Sequence, residues 1–568
     1  MSLTDWIVLA LTLLIIVSYG MWRSRGAKTA SSYLLGDQSM PWYHVGFSVM
    51  ATQASAITFL SAPGQAYSDG MRFVQFYLGL PLAMIVLCIT FVPIFHRLKV
   101  YTAYEYLEQR FDARTRIFTA ALFLVQRGLS TGITIYAPSI VLSVILNINT
   151  AYTTIFIGSI VTLYTVFGGT KAVSYTQLLQ MSVIFAGLFF AGFMVVQLLP
   201  DNSGFFSAIK TAGKMGRMNV IDWHFDWDNR YNVWSGLIGG FFLQLSYFGT
   251  DQSQVGRYLT GSSVSQSRMG LLMNAVLKIP LQFLILLIGV LVFAFYQYNK
   301  PPVFFNPYEV KRIEQSNYKS DYQKLDKQYS ADFADKKSKV ETLNAALNAD
   351  DQHAIGEAKT AVKEADAKMK ETRGQAVALM EKANKDFDKN DTNYIFLTFV
   401  THYLPKGLIG LLIAIVFLAS MGSTASALNS LATTSMIDVC KRLFFKETSD
   451  RKEVVYSRWL TVFWGVFCIG MALFAGRMGN LLEAVNELGS YIYGTILGVF
   501  VSAFYLKKID GRSVFIAAVI SEILVCALGF TKSVAYLWLN VVGCMSVVLL
   551  ALLIASLSKK TPAKSALA

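Results

Sequence analysis

Charge is scarce in this chain. Of its 568 residues only 15% are Asp, Glu, Lys or Arg, against about 25% in soluble globular domains. Cysteine is scarce too. The five present (Cys88, Cys440, Cys468, Cys526 and Cys544) are odd in number and show no C-x-x-C spacing, which excludes a disulfide framework and a structural zinc site. Twelve prolines are too few for a collagen-like or proline-rich chain. Phosphate-binding loops, nucleophile elbows and metalloprotease motifs are absent, so nothing points to an enzyme. Apolar surface stands where charge is missing: 54% hydrophobic residues, 14% aromatic, and a mean hydropathy of +0.45. A soluble fold cannot bury that much, because burial on folding is limited by geometry. The sequence therefore predicts an all-α integral membrane protein whose first partner is the lipid bilayer.

A spanning helix needs about 20 apolar residues. Runs of that kind fall near 3–22, 44–69, 73–95, 117–147, 151–168, 174–199, 233–256, 270–298, 405–436, 456–476, 481–506, 513–530 and 534–557. About 13 transmembrane helices are expected, with the termini on opposite sides. The first run lacks a basic n-region and a cleavage site, and reads as a retained helix. If the N-terminus is outside, the inside segments hold 23 Lys and Arg and the outside loops, the insertion aside, hold 7. The positive-inside rule then predicts N-terminus out and C-terminus cytoplasmic, in a cell (inner or plasma) membrane. The net charge of +14 is thus a topology signal and gives no reason to expect a nucleic-acid partner.

One segment does not belong in the bilayer. Residues 300–392 carry 17 basic and 17 acidic side chains and are rich in strong helix formers. Apolar positions at Val340, Leu343, Ala346 and Leu347, and at Ala376, Leu379 and Met380, predict an amphipathic hairpin or short coiled coil. The expected organisation is a first transmembrane part (1–299), an extracytoplasmic helical insertion (300–393) and a second transmembrane part (394–568). A solvated arm is the plain reading of the insertion, and docking of an envelope protein is the other.

The second apolar run contains Thr52, Gln53, Ser55, Thr58 and Ser61, followed by Pro63-Gly64. Polar and breaker residues at membrane depth are costly unless they line a cavity or bind something. A discontinuous helix exposes backbone carbonyls, which are hard-oxygen ligands suited to a small cation. The run at 405–436 is similarly hydroxylated; Ser423, Ser426 and Ser430 follow i, i+3, i+7 spacing and share a face. Each pattern also suits close helix packing through small residues. Together they suggest an all-oxygen sodium site.

The stretches SAITFLSAPGQAYSDG, STGITIYAPSIVLS, GTDQSQVGRY and ALNSLATTSMID resemble the sodium/solute symporter family, and within it the iodide, monocarboxylate and multivitamin branch. The resemblance covers nearly the whole chain outside the insertion. It implies a LeuT-like five-plus-five inverted repeat with one preceding helix, and a secondary active symporter coupling sodium entry to uptake of a small organic solute by alternating access. The expected solute is a carboxylate or other anion, with sugars also open. A proton-coupled or sodium-independent transporter of the same fold, or a transporter-like solute sensor, is the alternative. Sodium is the implied coupling ion; no other cofactor is expected.

Carried over position by position, the resemblance puts the sodium site at Ala51, Ala54, Ala419, Gly422 and Ser423. Gly422 departs from the family pattern, which has a hydroxyl there; Ser420, Thr424 or water is expected to replace that oxygen. Tyr175-Thr176-Gln177 stands where relatives have W-T-D, and Ala425 replaces a serine, so a second sodium site is not expected. The implied solute site comprises Thr58 and Ser61, Gln75 and Tyr77, Gln244 and Tyr247, Lys278 and Asn486. Arg127 joins them as a cation that wants a carboxylate partner, either the solute's or an internal one. Asp251 and Ser426 are expected in ion coupling or gating, with Asp251 able to pair with Arg257 or to carry a proton.

Overall fold

The computed structural model describes residues 1–23, 38–98, 100–200, 204–384, 387–444 and 449–557, without side-chain placement at residues 21, 167–172, 450 and 477. Arg25, Lys28, Lys99, Lys446 and the basic tail beyond residue 557, which entered the expected orientation, lie outside the described residues. The described residues are mostly helical, and the only β-pairing among them is an isolated bridge between Met40 and Gly261.

The leading helix α1 (Leu3–Arg23) is followed by a broken pair, α2 (Trp42–Gln53) and α3 (Ala56–Asp69), bent by 59°. A span made of 3-10, α and π turns follows as α4 (Met71–Leu98), then the short α5 (Ala103–Arg110) and the long α6 (Ala113–Leu146). Next come α7 (Thr150–Gln197) and α8 (Phe205–Lys214). A π-turn at Ser235–Gly239 leads into α9 (Gly240–Thr250), which breaks at Asp251 before α10 (Gln252–Tyr258) and α11 (Val264–Tyr298). The insertion forms α12 (Pro307–Glu314), α13 (Lys319–Asn348) and α14 (Gln352–Ala383). The bundle resumes with α15 (Thr392–Tyr403) and α16 (Leu408–Thr434, continued by a π-turn at Ser435–Cys440). It ends with α17 (Asp450–Ala472), α18 (Leu481–Tyr505), α19 (Gly511–Phe530) and α20 (Tyr536–Leu557).

All thirteen apolar runs fall on helices of an all-α bundle. Among the described residues ten helices are long and apolar enough to cross a membrane, or eleven with the broken pair. The runs at 151–168 and 174–199 both lie on α7, a helix of 48 residues. The run at 233–256 is helical through the π-turn at Ser235–Gly239 and breaks at Asp251.

The break between α2 and α3 is dictated locally. Ala54 (φ −81°, ψ 82°) and Ser55 (φ −84°, ψ 174°) leave the helical region. The Ser55 amide donates to the Gln53 carbonyl at 3.1 Å instead of to Ala51 four residues back, so the Ala51 carbonyl loses its helical donor. Farther along α3, Pro63 withholds an amide, and its carbonyl lies where a Cβ on Gly289 would stand, at 2.2 Å. Glycine at 289 is therefore what lets α11 pack directly on α3.

The insertion is a hairpin of α13 on α14. Val340, Leu343, Ala346 and Leu347 are buried against Ile355, Ala358 and Val362, with Tyr298 of α11 in the same cluster. At its base Arg373 pairs with Asp391 at 2.6 Å, and the other Asp391 oxygen accepts the Phe305 amide at 2.7 Å. The apolar stripe is thus consumed inside the hairpin and at its root. Helix α15 packs on α3 and so links the arm to the broken helix.

Candidate functional site

Three elements converge beside the break. Helix α16 packs on both α2 and α3, and α7 packs on α2 and α16. Ala419, Gly422, Ser423 and Ser426 fall at i, i+3, i+4 and i+7, on one face of α16. Ser423 lines a cavity of about 90 Å³ together with Thr52, Gln53, Ser55 and Thr58 from the break. Its hydroxyl donates to the Ala419 carbonyl at 2.9 Å. The candidate sodium residues Ala51, Ala54, Ala419 and Gly422 are buried in the surrounding packing and do not themselves line the cavity.

Gln177 of α7 occupies the junction. Its amide nitrogen donates to Thr52 Oγ1 at 3.1 Å, to the Gly422 carbonyl at 3.2 Å and to Ser426 Oγ at 3.0 Å. Its oxygen accepts from Ser48 Oγ at 2.6 Å. A neutral carboxamide thus fills the oxygen cluster around Ser426, which serves as a hub between α2, α7 and α16. Ser420 donates toward the Thr134 carbonyl of α6 at 3.5 Å, away from this junction.

Of the expected solute residues, Thr58, Tyr77, Arg127, Gln244, Tyr247 and Asn486 do line the cavity. Three do not. Gln75 is a structural tie: its amide donates to the Tyr231 carbonyl at 2.9 Å and its oxygen accepts the Asp222 amide at 3.0 Å. Ser61 is buried with its hydroxyl unpartnered among the described residues. Lys278 stands behind the cavity wall, fully buried, its ammonium 5.7 Å from the centre of the Tyr77 ring and without a hydrogen-bond partner among the described residues.

Arg127 reaches the cavity from α6 and pairs with Asp251. It also donates to Ser253 Oγ at 2.7 Å and lies 5.5 Å from the centre of the Tyr247 ring. Asp251 caps α10: one oxygen accepts the Ser253 amide at 2.8 Å and the Ser253 hydroxyl at 2.6 Å, and the other accepts Tyr493 Oη at 2.8 Å. Pairing of Asp251 with Arg257, one of the two alternatives for this carboxylate, does not occur. The chain turns at Asp251 so that its carboxylate faces α6 and α18, and Arg257 Nε and Nη1 meet no acceptor among the described residues. Tyr493 is a cavity residue that the sequence did not single out, since its aromatic ring sits unremarkably in an apolar run.

A larger cavity, about 540 Å³, lies on the arm side and is lined by Gln65, Asp69, Arg72, Arg217, Arg230 and Glu483 among others. Phe73 lines it, Phe76 lines the smaller one, and the two rings stack with centroids 5.2 Å apart. A pair of cavities parted by an aromatic layer, beside a broken helix, is the arrangement expected of a transporter that opens one side at a time.

The comparisons agree with that geometry. A sequence model of the sodium:solute symporter family matches residues 33–322 and 376–521, passing over most of the α13–α14 hairpin, and the chain belongs to this family. Among its relatives, a putative sodium-dependent multivitamin transporter of Drosophila melanogaster is 27% identical, covering 93% of this chain and 74% of the relative. Sodium-coupled monocarboxylate transporter 1 of Mus musculus is 27% identical, covering 87% and 68%. The sodium/sialic acid symporter SiaT of Proteus mirabilis is 24% identical, covering 93% and 90%. A solved structure of a Na⁺-coupled sialic acid symporter, substrate-bound and outward-open, superposes with a TM-score of 0.76 at 22% identity, with both chains fully covered; its LeuT-like fold is the fold of this chain. These relatives are transporters and not enzymes. The chain is a multi-pass membrane protein and a sodium-coupled symporter of a small solute.

Proposed function

We propose that the solute is a small organic carboxylate, imported with a single sodium ion. The observation that carries this reading is Arg127, a guanidinium in the wall of a small cavity lined besides by hydroxyls, amides, aromatic rings and a few aliphatic side chains. A planar guanidinium matches a carboxylate bidentately. The cavity, at about 90 Å³, is small beside the ~300–1,000 Å³ of drug-sized ligand sites, which favours a solute of few heavy atoms. Arg127 holds one solute oxygen while Asp251 and Ser253 keep the guanidinium in place. Gln244, Tyr247 and Asn486 supply hydrogen bonds, and Thr58 and Tyr77 close the remaining wall. Lys278, behind Tyr77, adds positive potential to the same chamber.

Sodium is held at the junction of the break and α16, by the carbonyls of Ala51, Ala54 and Ala419 and by the Ser423 hydroxyl. Oxygen ligands of this kind suit a hard monovalent cation. Binding there joins the α2–α3 break to α16, stiffens the cavity wall and so raises affinity for the solute; by linkage the solute raises affinity for sodium equally. Gln177 fills the neighbouring oxygen cluster and leaves no room for a second ion. The distribution of Lys and Arg supports an outside N-terminus in the cell membrane, with the 300–393 arm projecting outward. An envelope protein at the arm would meet its charged faces, since the apolar stripe is used within the hairpin.

A thermal-shift screen of the purified protein against short carboxylates, sugars and amino acids, in sodium and then in potassium, tests the reading. A ligand that binds only the folded state raises the melting temperature. Stabilisation by carboxylates in sodium alone is expected; stabilisation by sugars only, or equally in potassium, would contradict it.

A further inference from the structure

Helix α1 is tied to α16 at its first turn. Asp5 is buried, and one of its carboxylate oxygens accepts the Gly407 amide at 2.6 Å and the Gly410 amide at 3.3 Å, both at the start of α16. A Cβ on Gly410 would stand 2.2 Å from the Asp5 carbonyl oxygen, so the two backbones touch there. Farther along, α1, α6, α7 and α16 enclose a cavity of about 190 Å³. Apart from Ser420, every side chain lining it is aliphatic, aromatic or a thioether, and the Ser420 hydroxyl is turned to the Thr134 carbonyl at 3.5 Å.

Spacing along the helices gives the cavity its shape. Leu9 and Leu13 come from α1, Ile157 and Val161 from α7, and Phe417 and Met421 from α16. Each pair is four residues apart, so its members stand one above the other on one face, about 6 Å apart along the axis. The lining is thus three apolar stripes, each running along its helix. Trp6, Phe156 and Ile160 also line the cavity and are exposed, so it reaches the surface of the bundle. That surface belongs to α1 and α7, and α1 is by length and apolarity a membrane span.

We infer that this slot is a binding site for one acyl chain of a membrane phospholipid. Water does not suit it, because a buried water makes two to four hydrogen bonds and the single lining hydroxyl is already committed. A dry apolar cavity of about 150 Å³ takes up small hydrocarbons even from water; here the adjoining solvent is itself hydrocarbon. A chain entering past Phe156 and Ile160 gains dispersion contacts with three walls that water cannot supply. It meets α16 at Ser420 and Met421, and needs neither sodium nor solute in place.

Photolabelling of the purified full-length protein in mixed micelles tests this, with a phosphatidylcholine that carries a diazirine in one acyl chain. Saturable labelling of residues 417–421 is expected, since Phe417 is buried within the slot. Excess unlabelled phosphatidylcholine should displace it; glycerophosphocholine, which has the headgroup and no chains, should not. Ile160→Trp narrows the mouth and is expected to lose most of this labelling, while labelling at the exposed Phe189 and Phe190 of α7 stays unchanged. Native labelling confined to exposed positions such as Phe189 would overturn the inference. So would labelling of 417–421 that does not saturate, or that is unchanged in folded Ile160→Trp. Labelling there by a photoreactive sterol that phosphatidylcholine fails to displace would overturn it as well. If Ile160→Trp does not yield folded protein, Leu13→Trp, at a half-buried position of α1, decides by the same comparison.

Discussion

Arg127 of α6 and Asp251, at the turn between α9 and α10, form an ion pair that is buried on the Asp251 side, with Tyr493 donating to the same carboxylate oxygen at 2.8 Å. This pair joins the wall of the solute cavity to the start of α10. If the solute is the carboxylate proposed above, a guanidinium that gains it changes its hold on Asp251, and the pair would connect solute occupancy to the packing of α6, α10 and α18.

Removing one member of such a buried pair strands the other. Asp251→Ala is expected to destabilise the protein by about 3–5 kcal/mol, the range for a buried charge left without its partner. Arg127→Met combined with Asp251→Leu is expected to recover much of that stability while abolishing carboxylate binding. Melting temperatures of the singles and the double, read as a cycle, check this; additive losses would show that the two residues are not coupled.

Gln177 makes a different prediction. With its amide filling the Ser426 cluster, one sodium site remains, and sodium dependence of solute binding is expected to be hyperbolic. A sigmoid dependence would reveal a second ion. Gln177→Leu leaves Thr52, Ser48 and Ser426 without their partner and is expected to cost about 1–3 kcal/mol, the penalty for buried polar groups left unsatisfied, measurable as a lower melting temperature.

The base of the arm titrates. Burial is the largest influence on Asp388 and, with the nearby Asp391 and Glu309 carboxylates, raises its pKa to about 6 from an ordinary 3.8; the Asn390 amide opposes the rise. The folded state therefore holds this proton more tightly than the unfolded chain, and stability from this group falls as pH rises from about 4 to about 6. Asp388→Asn is expected to melt higher than the native protein above pH ~6.5 and at the same temperature near pH ~4. An equal difference at both pH values would contradict this assignment.

Close helix contact at Gly289 is equally exposed to test. A Cβ there would stand 2.2 Å from the Pro63 carbonyl. Gly289→Ala is expected to push α11 from α3 and cost about 1–3 kcal/mol, as overpacking does, with a lower melting temperature and weaker sodium binding as the break shifts. A native melting temperature would show that the helices separate freely.

How much of this was legible in the sequence follows from the kind of signal each feature leaves. The break was legible because Thr52, Gln53 and Ser55 are polar letters in an apolar run, a local pattern. The arm was legible from its composition and its three-and-four spacing. Gln75 looked like a cavity residue by its position on α4, but its amide is spent on backbone groups at 222 and 231, contacts some 150 positions away that no local pattern encodes. Asp251 was expected to have Arg257 available and instead faces Arg127, because the turn at 251 reverses which neighbour is in reach.

Whether one sodium ion joins the α2–α3 break to α16 is decided by direct binding of radioactive sodium to the native protein and to Ser423→Ala. The account predicts saturable binding to the native protein, displaced by unlabelled sodium and not by potassium, and weakened about tenfold or more when the Ser423 hydroxyl is removed. Saturable binding that is unchanged in Ser423→Ala, or no saturable binding to a folded native protein, would contradict it.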